Sequence, residues 1–248
     1  MKILPPMLLT LGLTLASSAS AIPSLQLGDD GSSAWQYDAG TQTWVASGGG
    51  TFTLNAYANC LKGYDGCDKP DGKFAWDDSG TSKRYAYLTV AAMPDVGNVD
   101  AFDISISNDG GSLSLLTSGW GTPPLEDTNS MTTHGIFDSY FEIYEFQFDG
   151  GIGTIYDTQP GQTGSGQGYS ESFDITINSL LGGLDGVHFD LFTVSGDGKY
   201  SPPTGTDKFL VKDVAPYSHD AEWRKVPEPA TLALLGLGLL GIGLRRRR

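Results

Sequence analysis

The sequence predicts an all-β chain folded as an antiparallel, jelly-roll-like β-sandwich, with an N-terminal signal peptide before it and a single C-terminal hydrophobic helix after it. Three observations lead there. Across the middle of the chain, apolar side chains recur at every second position in several short runs, the pattern of a strand with one buried face. Clusters of Gly, Asp, Asn and Pro separate these runs, and glycine is abundant, 34 of 248 residues. No part of the body has a convincing helical period; only 126–133 and 177–184 offer a short helical turn.

In chain order, residues 1–21 come first. Lys2 is a minimal basic leader, 3–16 is apolar, and Ala19-Ser20-Ala21 places small side chains where a signal peptidase reads them. Cleavage is expected after Ala21, which makes signal peptidase the first processing partner and exports the rest across the inner membrane.

Residues 22–214 are expected to form the sandwich. GTFTLNAYA alternates Phe52, Leu54, Ala56 and Ala58 against polar neighbours. YAYLTVAAM is β-rich and mostly apolar. AFDISIS alternates Phe102, Ile104 and Ile106, and SFDITIN alternates Phe173, Ile175 and Ile177. VHFDLFTV sends Val187, Phe189, Leu191 and Thr193 to one side and His188, Asp190, Phe192 and Val194 to the other. GIFDSYFEIYEFQFDG changes phase: Phe137, Phe141 and Ile143 are odd, whereas Phe146 and Phe148 are even. A bulge near Tyr144-Glu145 would bring both sets to one core. Turns are expected at Asn108-Asp109-Gly110-Gly111, Asp149-Gly150-Gly151 and Gly196-Asp197-Gly198. Residues 215–225, APYSHDAEWRK, read as a polar linker.

Charge excludes one class of partner. The formal net charge is −14, and setting aside Lys2, the four terminal arginines and Glu228 leaves −18 on the body. Such a surface repels phosphate backbones, so nucleic acid is not an expected partner.

Two cysteines, Cys60 and Cys67, flank a six-residue loop containing Gly63 and Gly66. Outside the cytoplasm such a pair is expected to form a disulfide. Asp65, Asp68 and Asp71 sit in and beside the same Gly-rich loop, where carboxylates can hold Ca2+, the one cofactor the sequence suggests; their spacing does not match an EF-hand loop, and solvated turn residues explain them as well. Glu142 and Glu145 offer two carboxylates, but a spacing of three puts them on opposite faces of a regular strand. His134, His188 and His219 are scattered, with no metalloprotease pattern, and neither a nucleophile elbow nor a phosphate loop occurs. No catalytic residues and no catalytic activity are expected. Five tryptophans and 11 tyrosines could supply stacking platforms for sugar rings, or simply pack the core.

The end of the chain is the most specific stretch. In VPEPATLALLGLGLLGIGLRRRR, the triplet Pro227, Glu228 and Pro229 precedes an uncharged run at 230–244 and then Arg245, Arg246, Arg247 and Arg248. Fifteen residues of helix span about 22 Å, short for a hydrocarbon core of about 30 Å. The arginines would hold their end on the cytoplasmic side, leaving the body outside. The prolines force an extended, accessible approach to the membrane. With these parts, residues 226–248 resemble a PEP-CTERM sorting signal, the substrate of the membrane transpeptidase exosortase in Gram-negative bacteria that make exopolysaccharide. The body also resembles the choice-of-anchor N family of bacterial surface proteins, in IPSLQL, YDAGTQTWV, GTFTLNAYA, THGIF, VHFDLF and APYSHDAEW; that family has no assigned activity and no functional residues to carry over. Together the resemblances imply an exosortase-sorted protein, transiently anchored in the inner membrane and then placed on the cell surface or in the matrix. Its role would be structural or interactive in an exopolysaccharide or biofilm matrix, or alternatively that of a carbohydrate-binding module for extracellular polysaccharide.

Overall fold

The computed structural model describes residues 23–29, 31, 34–59, 85–93, 101–109, 113–121, 139–148, 152–194, 211–215 and 220–225. Among them are 13 strands and no helix, so the all-β expectation holds. One sheet contains β1 (Leu25–Gly28), β4 (Thr51–Asn59), β10 (Ser165–Leu180) and β6 (Phe102–Asn108) in that order, with β9 (Gly153–Tyr156) also on β10. The 16-residue β10 organises it: one edge pairs with β4, and the other takes β9 near its start and β6 near its end.

The second sheet runs β2 (Trp35–Asp38), β3 (Thr43–Ser47), β13 (Ala221–Arg224), β11 (Gly186–Val194), β5 (Tyr85–Met93), β8 (Ser139–Gln147) and β7 (Ser114–Gly121), with β12 (Val211–Val214) also on β11. It is mixed rather than purely antiparallel, because β13 lies parallel to β3. Most of the domain separates those two strands, so no tight turn dictates their relative direction.

The sheets pack face to face around one core. Phe52, Leu54, Phe173 and Ile175 on the first meet Leu88, Phe146, Phe189 and Leu191 on the second, all buried. Three ring pairs cross the interface: Phe52 with Phe189 at 6.2 Å, Phe146 with Phe173 at 4.8 Å and Phe102 with Tyr140 at 5.0 Å. The edge-on geometry of these pairs adds about 0.5–1.5 kcal/mol each to the burial of their area.

The outer faces differ. On the first sheet it is a polar ladder, with hydrogen bonds between Thr51 and Thr176 at 2.7 Å, from Thr53 to Asp174 at 2.8 Å and from Ser172 to Asn55 at 2.7 Å. On the second, Tyr87, Thr89, Ile143 and Phe192 are fully buried on the side away from the first sheet, and Tyr87 stacks on Phe192 at 5.1 Å.

This second buried face explains the phase change in β8, and the expected bulge near Tyr144-Glu145 is absent. The register of β8 against β5 runs unbroken from Tyr85–Gln147 to Ala91–Phe141. Tyr140, Tyr144 and Phe146 pack into the inter-sheet core while Ile143 is buried on the opposite face, so both phases are apolar without a bulge. The interruption lies instead on β7, between Leu115 and Thr117.

The stretch read as a linker, 215–225, is also different. Ala215 donates its N–H to the Leu191 carbonyl, and 221–224 form β13, inserted between β3 and β11. Ala221 and Trp223 point into the core. Their alternation with Asp220, Glu222 and Arg224 is that of a strand, but the three charges make so short a segment look like a solvated tether. The folded domain therefore reaches Lys225, whose N–H donates to the Asp185 carbonyl at 2.7 Å.

Candidate functional site

The partner of β11 on this side is broken. β12 pairs with Phe192–Val194, Ala215 bonds to Leu191, and β13 pairs with Gly186–Phe189, leaving a gap in the ladder opposite Asp190. Asp220 is the residue at which the chain re-enters the sheet, its carbonyl accepting the Trp44 N–H at 3.3 Å. Alternation along β11 puts His188 and Asp190 on the outer face, while alternation along β13 puts Glu222 and Arg224 there beside them. Register then sets His188 directly across from Glu222.

The result is a buried polar cluster. His188 is 6% exposed, Asp190 2%, Asp220 0% and Glu222 8%. The imidazole Nε2 lies 3.3 Å from Asp190 Oδ1 and 3.6 Å from Asp220 Oδ2, and Nδ1 lies 3.4 Å from Glu222 Oε1. Arg224 braces the far side of Glu222, with Nε donating to Oε2 at 2.8 Å and Nη2 at 2.7 Å from the same oxygen, and its Nη1 is 3.4 Å from Asp38 Oδ2. Burial opposes the imidazolium, yet Asp190, Glu222 and Asp220 outweigh it and hold His188 well above its ordinary value. Burial likewise pushes Glu222 up, but His188 and Arg224 prevail and hold it below the usual carboxylate range. One nitrogen and two carboxylate oxygens, from His188, Asp190 and Asp220, lie within 4.8 Å of one another.

The sequence placed His188 and Asp190 on one side of a strand but did not bring Asp220 and Glu222 to them. The signal was there, a His-x-Asp on β11 and an Asp-x-Glu-x-Arg running from Asp220 into β13, each alternating with apolar residues. What no spacing reveals is that these two strands are neighbours.

Glu142 and Glu145 are on opposite faces of β8, as their spacing requires. Glu142 accepts hydrogen bonds from Tyr140 and Tyr144, whereas Glu145 accepts one from Tyr87. Burial and the Glu142 carboxylate push the Tyr144 phenol up, so it stays a donor. Glu142 and its two tyrosines line an open hollow of about 610 Å³ between the ends of the sheets, together with Phe102, Leu115 and Leu181. Of the tryptophans, Trp35, Trp44 and Trp223 are buried, and Trp120, cross-strand from Tyr140, is 40% exposed.

The other residues singled out in the sequence lie outside the described residues: the signal segment, Cys60 and Cys67, Asp65, Asp68 and Asp71, and the tail with Pro227, Glu228, Pro229 and the four arginines. No helix among the described residues is long and apolar enough to cross a membrane.

Comparison with known families identifies the tail. Residues 225–248 match the PEP-CTERM protein-sorting motif. The chain thus carries the signal of an exported, exosortase-processed protein sorted to the cell surface. No curated protein matches the chain. The likeness of the body to the choice-of-anchor N family finds no support in these comparisons.

Proposed function

We propose that this chain is a non-catalytic surface or matrix protein whose folded β-domain is the displayed cargo of the sorting motif. Signal peptidase removes residues 1–21, the 230–244 helix holds the chain in the inner membrane for a time, and exosortase then cuts near Pro227–Pro229. The acidic domain serves as a structural or interacting component of the exopolysaccharide matrix, and a Cys60–Cys67 disulfide closes one of its loops. The observation that carries this reading is the junction of the motif with the fold: the match begins at residue 225, directly after β13.

The test is the intact mass of the protein recovered outside the source cells, measured without reductant. The expected species starts at Ile22, ends near Pro227–Pro229 and is two hydrogens lighter than the dithiol. A species retaining residues 230–248 would sink the sorting step.

A second reading, polysaccharide binding, is favoured by the hollow that holds Tyr140, Glu142 and Tyr144, with Trp120 exposed beside it. The exposed Trp120 ring, cross-strand from Tyr140 and near the Glu142 carboxylate, suits a sugar ring. Trp120→Ala should then weaken binding to the source organism's exopolysaccharide. Absence of binding by the unaltered protein removes this reading.

A further inference from the structure

We propose that His188, Asp190 and Asp220 bind a divalent d-block cation of the Zn2+ or Mn2+ type, with Glu222 holding the imidazole from behind. Its ligands are other residues than those of the sorting tail or Asp65, Asp68 and Asp71, and it does not depend on where the protein is delivered.

Four features converge on it. The first is distance. A charge-assisted hydrogen bond from an imidazolium to a carboxylate closes to about 2.7–2.9 Å. Here the Nε2 contacts are 3.3 and 3.6 Å, and Nε2 makes no hydrogen bond although it is buried and aimed between the two carboxylates. Ligands at about 2.0–2.1 Å around a tetrahedral Zn2+ stand roughly 3.3–3.5 Å apart. These two nitrogen–oxygen spacings suit a shared ion better than direct hydrogen bonds, and all three ligand atoms lie within 4.8 Å of one another.

The second is the back of the ring. A metal-bound histidine generally gives its other N–H to a carboxylate, which fixes the tautomer and leaves the remaining nitrogen lone pair for the metal. Glu222 faces Nδ1 in that way, and Arg224 fixes Glu222 in turn.

The third is charge. Asp190, Asp220 and Glu222 set three carboxylates around one buried imidazole. A divalent cation offsets more of that charge than the single proton an imidazolium carries. Buried charge left unbalanced is expensive.

The fourth is a spare hydroxyl. Thr89 is directly across from Asp190, fully buried, and its Oγ1 has no hydrogen-bond partner. It can hold a water completing the ion's shell. The imidazole ligand selects against Ca2+ and Mg2+, which take oxygen, and towards Zn2+, while the two carboxylates keep Mn2+ within the class.

The test uses the mature protein from the source cells, stripped with a chelator and titrated with Zn2+ against a chromophoric competitor. Uptake of about one equivalent is expected. Asp220→Asn and His188→Gln should each weaken it at least tenfold, Glu222→Gln about tenfold, and the triple change of Asp65, Asp68 and Asp71 to Asn should leave it unchanged. No uptake by the unaltered protein, or equal uptake by the Asp220 and His188 variants, overturns the proposal. If those variants fail to fold, X-ray absorption at the zinc edge of the unaltered protein decides. Outer-shell scattering from an imidazole ring supports the site, and an all-oxygen shell overturns it.

Discussion

Glu222 Oε1 lies 3.4 Å from His188 Nδ1, and the two residues are direct cross-strand partners on β13 and β11. The pair welds the last of the described strands to the centre of the second sheet. The two charges along this end of β13 are unequal in context: the Glu222 side chain is 11% exposed, whereas that of Arg224 beyond it is 40% exposed.

That inequality predicts unequal substitutions. Glu222→Ala strips a buried imidazole of its carboxylate and should cost about 3–5 kcal/mol. Arg224→Ala removes a half-wet partner and should cost about 1 kcal/mol or less. At roughly 2–4 °C per kcal/mol for a domain of this size, thermal unfolding separates the two clearly. Equal melting temperatures would mean that Glu222 is solvated.

Gly186 is held by contact. A Cβ built there would stand 2.0 Å from the Trp223 carbonyl oxygen, which is backbone and cannot swing away. Gly186→Ala should therefore push β13 off β11 and destabilise the domain by about 2–3 kcal/mol. The β13 amides should lose hydrogen-exchange protection first. Gly182, with nothing within 4 Å of an added Cβ, is the control, and Gly182→Ala should change stability by about 0.5 kcal/mol at most.

Truncation tests the limit of the domain. A chain ending at Lys225 keeps β13 and should melt cooperatively. A chain ending at Asp220 loses Ala221 and Trp223 from the core and the only described strand joining β3 to β11, and should not. If 215–225 were a tether, the two chains would melt alike; circular dichroism through a thermal ramp distinguishes these outcomes.

The strands legible in the sequence are those with one buried and one wet face. β4, β6 and β10 belong to a sheet whose outer side is a polar ladder, and their alternation is plain. β8 was misread because alternation presupposes a wet side, and β8 has none. β13 was missed for the opposite reason: its outer positions hold charges that are buried against a histidine, so it looks solvated. The candidate site inherits that difficulty. His188 and Asp190 share a face by simple periodicity, but their meeting with Asp220 and Glu222 depends on a parallel and an antiparallel pairing made by the final strand. Strand order is a property of the whole chain, and no local pattern encodes it.

The position of β13 also sets an order of events. β2 and β3 leave the ribosome early, yet among the described strands they connect to the rest of their sheet through β13, the last of them to be made. Until residues 221–225 are clear of the translocation channel, that sheet stays in two pieces, and its long-range pairings, slow to form in any case, cannot close. The exported chain thus remains unlocked during transit and locks only when its end arrives. The sorting motif emerges at the same moment, so the machinery that reads it meets a domain that has just become able to finish folding.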